Sequence, residues 1–121
     1  MREIKFRGKI ISELVVLDGK WCIGLLSKKD FETFITMEGV NATTFQVDPE
    51  TVGEFTGLHD KNGKEIYEGD IVKTPMGIGR VFNRLGCWFV EMQEELGYFA
   101  SGDLEVIGNI YDNAELLKEV K

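Results

Sequence analysis

His59 is the only imidazole in the chain and stands beside Asp60, the pairing from which the general base of a hydrolytic triad is built. A triad also needs a nucleophile held on a strained turn, such as the G-x-S-x-G elbow, and no such pattern occurs. His59 leads instead into a hairpin turn, where a surface or edge position is expected. The nearby acidic group Asp60, Asn62, Glu65, Glu68 and Asp70 invites a calcium reading. Placing Gly63 at the fixed glycine of an EF-hand loop puts Leu58 at the first carboxylate ligand and Gly69 at the bidentate glutamate. Both key ligands fail, so the group reads as charge on a solvated hairpin. Zinc is excluded by the same arithmetic. Cys22, Cys87 and His59 have no paired ligand spacing, whereas a structural site takes four N or S donors. Each cysteine adjoins a tryptophan (Trp21, Trp88) in a strand-like run, where a thiol packs as a small apolar side chain. Gly77-Ile78-Gly79-Arg80 is a bare G-x-G without the third glycine and long helix that cradle a pyrophosphate. It reads as a tight turn entering a strand.

The residues that could hold a partner are cations. Lys73, Arg80 and Arg84 gather on one side if their two strands pair, with Glu91, Glu94 and Glu95 near enough to cancel their potential. The opening is also locally basic, with Arg2, Lys5, Arg7 and Lys9 against Glu3, as one solvated strand face would be. Against these stand 14 Lys and Arg and 21 Asp and Glu in 121 residues, a formal charge of −7. Neutralising phosphates and releasing their counterions supplies most nucleic-acid affinity, so a general phosphate-binding surface is not expected. The acids divide evenly, ten in residues 1–60 and eleven in 61–121, which is mild for a mimic of DNA.

Strands must position these groups. Apolar and polar residues alternate through Ile4, Phe6 and Ile10 and again through much of the chain, which marks strands with one wet face. Glu13 to Leu25 reads as a hairpin turning at Asp18-Gly19 in the type I′ conformation. Asp30 to Met37 is ambiguous between a short helix and a strand, and Val40 to Val47 reads as a strand after Glu38-Gly39. Asp48-Pro49-Glu50-Thr51 has the form of a cap followed by one helical turn. This marks a boundary between lobes 1–50 and 51–121. Asn62-Gly63 is the strongest hairpin signal. Strand runs follow at Ile71 to Lys73, Ile78 to Phe82, Cys87 to Met92, Leu96 to Phe99 and Leu104 to Ile107. A short helix closes the chain, capped by Asn113, with Ile110, Ala114 and Leu117 on one face. The expected architecture is mainly β. It comprises a small N-terminal β-rich lobe, a C-terminal SH3-like five-stranded barrel, and the short helix.

Three blocks carry a family resemblance. The opening Met1-Arg2-Glu3-Ile4-Lys5-Phe6-Arg7-Gly8 is one. The second runs from Asp48 to Val72 and includes Phe55-Thr56-Gly57-Leu58-His59-Asp60-Lys61-Asn62-Gly63-Lys64-Glu65-Ile66-Tyr67-Glu68-Gly69-Asp70. The third is Glu105-Val106-Ile107-Gly108-Asn109-Ile110-Tyr111-Asp112-Asn113. Together they resemble the YopX-like family of phage and prophage proteins. Ala114 departs from the pattern, because the family often has proline at the start of the last helix. The resemblance implies a mainly β protein with a small N-terminal lobe, an SH3-like barrel, and a phage or prophage source. It implies no activity, and no functional residue is carried over from it.

The expected function is that of a non-enzymatic phage accessory module binding another macromolecule, a protein partner or a second copy of itself. The alternatives are a nucleic-acid-binding or DNA-mimic regulator and, least favoured, a metal-dependent enzyme using Glu65, Glu68 and Asp70. No cofactor is expected. The charged opening is unlike a secretory signal, and the longest apolar run, Leu14-Val15-Val16-Leu17, is far short of the ~20 residues that span a bilayer. A cytoplasmic location in the host cell is therefore expected.

Overall fold

The computed structural model describes residues 3–39, 41–91, 96–97 and 104–118. Among them the protein is mainly β and divides into two compact units, Met1–Phe55 and Thr56–Lys121.

In the first unit, β1 (Phe6–Lys9), β2 (Trp21–Lys29), β3 (Glu32–Met37), β4 (Thr44–Val47) and the start of β5 (Gly53–His59) form an antiparallel sheet in the order β4-β3-β2-β1-β5. Alternation sets its faces. Phe6, Gly8 and Ile10 point inward with Cys22 and Leu26 of β2, Ile35 of β3 and Phe45 and Val47 of β4. Ile35 and Val47 are wholly buried. Truncating a buried Ile of this kind to Ala costs about 2–5 kcal/mol, because the lost transfer energy adds to that of the cavity left behind. The sheet curls until the end of β1 reaches β4, where Ile10 faces Val47 across a single bridge and the Ile11 N–H donates to the Gln46 carbonyl at 2.9 Å. The capped turn at Asp48 forms as expected. Pro49–Thr51 is a 3-10 turn, and the Asp48 carboxylate accepts from the Glu50 N–H at 3.0 Å. Thr51 fastens this turn to β1, its hydroxyl accepting from the Lys9 N–H at 2.9 Å.

In the second unit, the later residues of β5 lie beside β6 (Glu65–Tyr67). A five-stranded antiparallel sheet follows in the order β10-β9-β8-β7-β11. Its strands are β7 (Asp70–Thr74), β8 (Gly77–Arg84), β9 (Cys87–Glu91), β10 (Leu96–Gly97) and β11 (Glu105–Asn109). Ile66, Val72, Val81, Val90 and Leu104 form its core, with Trp88 and Val106 packed against them. The helix α1 (Glu115–Lys118) lies against β8. The barrel expected here is corrected to an open sheet. The described strands β10 and β11 stand at opposite edges and no closed barrel is present among the described residues.

The turns differ from expectation in instructive ways. Val15 and Leu17 are not in a strand. The Leu14 carbonyl accepts from both Leu17 N–H (2.9 Å) and Asp18 N–H (3.0 Å), so Leu14–Gly19 curls into a turn, and β1 rather than this segment pairs with β2. The ambiguous segment resolves as strand β3. Its hairpin with β2 turns at Asp30-Phe31, both left-handed at φ +52° and +71°, which is the type I′ pattern. At the Asn62-Gly63 hairpin only Gly63 has positive φ. A type I turn closed by Gly63 N–H to the Asp60 carbonyl is followed by one left-handed glycine, the three-residue alternative to I′. Asn113 does not cap the final helix, since its side chain accepts from the Asn109 N–H instead.

Phe31 is fully exposed and a left-handed backbone crowds its Cβ. Phe31→Gly is therefore expected to raise the unfolding free energy by about 1 kcal/mol in urea titration. A loss of stability would show that the ring is held by a contact worth more than the strain.

Candidate interaction face

The pairing of β7 with β8 brings the three proposed cations to one face. Residues directly opposite one another in antiparallel strands share a face. Lys73 stands opposite Ile78 and Glu105, Arg80 opposite Ile71 and Glu91, Phe82 opposite Phe89, and Arg84 opposite Cys87. Along β8 this side reads Arg80, Phe82, Arg84, while Val81 and Val90 point to the core. Ile71, opposite Arg80 on the same side, is wholly buried, so the side is covered there and exposed at Lys73 and Arg84. Phe82 and Phe89 form a tilted ring pair, 5.8 Å between centroids at 31°. The Arg80 guanidinium lies 5.9 Å from the Phe82 ring centre.

Glu91 is the one expected neutralising acid that the described residues include. Its Oε1 accepts from Arg80 Nε at 2.7 Å, with both side chains over 40% exposed. At that exposure, solvent screening holds an ion pair to about 0–1 kcal/mol. Glu94 and Glu95 lie outside the described residues. Glu105 faces Lys73 across the strands and also meets Lys61, 3.7 Å from its Nζ. The face thus combines an aromatic pair with cations, Lys73 and Arg84 exposed and the Arg80 side chain 41% exposed, an arrangement suited to anions attached to flat rings.

The acidic group around the hairpin is not the solvated cluster expected from the sequence. Asp60 is 6% exposed and Asp70 1%. The Asp60 carboxylate accepts three backbone N–H groups, from Asn62 (2.8 Å) and Lys64 (2.9 Å) on Oδ1 and from Val106 (2.9 Å) on Oδ2. Burial pushes its pKa up. The N–H groups of Val106, Lys64 and Asn62 and the Lys64 ammonium outweigh that, and hold it below the ordinary carboxylate value. Asp70 accepts from the Tyr67 N–H at 2.8 Å, and Glu65 accepts from the Tyr67 hydroxyl at 2.8 Å. These carboxylates hold turns. Between Tyr67 and Asp70, Gly69 runs at φ +91°, where a side chain is strained and would press against the Tyr111 ring. Gly79 of the G-x-G fragment lies where a Cβ would collide with the Glu91 carbonyl, which is a strand-packing role. Cys22 is buried, and burial pushes its thiol pKa up. Cys87 departs from expectation: it is exposed, because it faces outward beside the β8–β9 turn.

Sequence reasoning missed the exposed apolar groups. Leu14, Val15 and Val16 are 61%, 89% and 69% exposed, and Leu85, at φ +54° in the β8–β9 turn, is 96% exposed. Their hydropathy reads as strand interior, and only their place in turns reveals them.

Residues 5–118 match the family model of the YopX protein. The chain belongs to the YopX family. No match is found among curated proteins. Among the described residues of this YopX-family chain, those that carried the resemblance lie in and just before β1, in the span from the 3-10 turn into β7, and in β11 with the segment after it.

The sign of the Asp60 effect is fixed by its lowered pKa. Its contribution is present in full above the unfolded-state value of about 3.9 and is lost as pH falls through the lower folded-state value. Asp60→Asn is expected to cost about 2 kcal/mol at pH 7, with the gap from the parent narrowing below about pH 4. Urea unfolding at pH 7 and pH 3 measures both. An equal gap at the two values would exclude the charge as its cause.

Proposed function

We propose that this YopX-family protein is a non-enzymatic macromolecule-binding module, encoded by a phage or prophage and acting in the host cytoplasm through a protein partner or self-association. The observation that carries this reading is the apolar run Leu14-Val15-Val16, displayed with Ile11 (45% exposed) on the β1–β2 connection. Consecutive apolar side chains left in water are a liability unless a surface covers them. Covering them yields roughly 25 cal/mol per Å² of area removed from water.

The display is organised. Ser12 N–H donates to Asp18 Oδ1 at 3.1 Å, Leu14 N–H donates to the Ser12 hydroxyl at 3.0 Å, and Leu17 packs into the core beneath. The loop therefore presents its apolar residues with little conformational entropy left to lose on docking.

The non-enzymatic part of the reading rests on how the chemistry-capable residues are used. Asp60, Glu65 and Asp70 are engaged in backbone and tyrosine hydrogen bonds, and Cys22 is packed in a core. None of the described helices is long and apolar enough to cross a membrane. An SH3-like relation of the second unit belongs to the same proposal, and it rests on strand number and antiparallel order alone.

The test is affinity capture of tagged protein from nuclease-treated lysate of phage-infected host cells, with sedimentation velocity of the purified protein alongside. A near-stoichiometric protein partner or a concentration-dependent dimer is expected. Val15→Glu with Val16→Glu should abolish either one without lowering the melting temperature, since both side chains are exposed. Retention of the partner or dimer by that variant would move the surface elsewhere, and absence of both in the parent protein would end the reading.

A further inference from the structure

We propose that the outward side of the β8–β9 hairpin binds single-stranded nucleic acid, its bases stacking on Phe82 and Phe89 and its phosphates held by Arg80, Arg84 and Lys73. This surface lies in the second unit, and the proposal is independent of the apolar loop in the first.

The spacing comes from the strand itself. Successive same-face residues are about 6.7 Å apart at the usual strand rise, so β8 sets out cation, aromatic, cation over about 13 Å at Arg80, Phe82 and Arg84. Phe89 widens the aromatic step from the neighbouring strand, its ring 5.8 Å from Phe82. Both rings are half-buried, and Arg84 and Cys87 beside them are exposed. A base can stack on such a platform whatever its identity, since every base has a π face.

Charge supports the same occupant. Among the described residues, Lys73, Arg80 and Arg84 outnumber Glu91 and Glu105 on this face, although the whole chain carries −7. Glu91 holds Arg80 through Nε alone, at 2.7 Å, which leaves its Nη groups to bind phosphate in the planar manner guanidinium favours. A duplex hides the faces of its bases, so a single strand fits better. An acidic peptide could use the cations but would leave the ring pair without a flat partner.

Fluorescence anisotropy of a labelled oligothymidylate of about 12 nucleotides, titrated with the full chain, tests this. Micromolar binding is expected at about 20 mM NaCl. Two or three phosphate contacts should weaken it about 25- to 100-fold on going to about 200 mM. Arg84→Glu should weaken binding about tenfold, and Phe82→Leu about fivefold, each with circular dichroism confirming the fold. Glu91→Gln, which frees Arg80 from its carboxylate, should tighten binding severalfold. Lys28→Glu, on the first unit, should change nothing.

No anisotropy change at about 100 µM protein in the low-salt buffer would overturn the proposal. So would binding that Arg84→Glu and Glu91→Gln both leave unaltered. Equal affinity for labelled polyglutamate would also overturn it, and would assign the face to an acidic protein segment.

Discussion

The second unit depends on one buried carboxylate. Asp60 sits at the corner of the β5–β6 hairpin, and its two oxygens divide between the turn and a strand 46 residues further along. Asp60 is a buried residue, and enclosing an ionised carboxylate is costly on its own. Three short N–H donors supply what water would have supplied. The backbone of the same turn adds to the tie, because Lys61 N–H donates to the Leu104 carbonyl and Asp60 N–H to that of Lys64. Hairpin formation thus places the group that receives β11, so a local turn sets a long-range contact. The first unit uses the same device with neutral partners. Thr51 receives the Lys9 N–H while the Lys9 carbonyl receives the Asp48 N–H, which fastens the 3-10 turn to β1.

These ties explain which parts of the fold could be read in advance. A cap and the turn it closes are neighbours in sequence, so Asp48-Pro49 declares itself. The same holds for the hairpin at Asn62-Gly63. Asp60 does not declare itself, because one of its three donors is the Val106 N–H, and no local pattern records a partner at that separation. The type I′ turn at Asp30-Phe31 is invisible for a different reason. Positive φ is expected at glycine or asparagine, and a phenylalanine there breaks the local rule. Strand count was legible in the second unit, but closure depends on tilt and stagger between strands, which alternation does not encode.

The candidate faces show the same division. That Lys73, Arg80 and Arg84 share a side follows from pairing parity, which alternation reveals once two strands are known to be neighbours. The Phe82–Phe89 pair needed the register, set by the two-residue turn at Leu85-Gly86. Leu14, Val15 and Val16 were misread because hydropathy reports what a side chain prefers, and here the backbone hydrogen bonds of a turn hold it against that preference.

The blocks that carry the YopX resemblance coincide with the ties and leave the display surfaces out. Lys9 and Thr51, Asp60 and Val106, Tyr67 and Asp70 lie within those blocks or immediately beside them. Leu14 to Val16, Phe31, Arg80 to Arg84 and Leu85 all lie elsewhere. A left-handed backbone at Phe31 or Leu85 costs about 1–2 kcal/mol each, and exposed apolar residues contribute nothing to the core. Against the 5–15 kcal/mol that separates most folded domains from their unfolded chains, such features persist only on a scaffold secured independently of them. The buried carboxylate and the threonine tie provide that security. They fix the strands through groups that lie outside the loops, so residues on the β1–β2 connection and the β8–β9 hairpin can change without unfastening the sheets. A scaffold of this kind draws its stability from its turns and crossings, and its outward side chains add little to it.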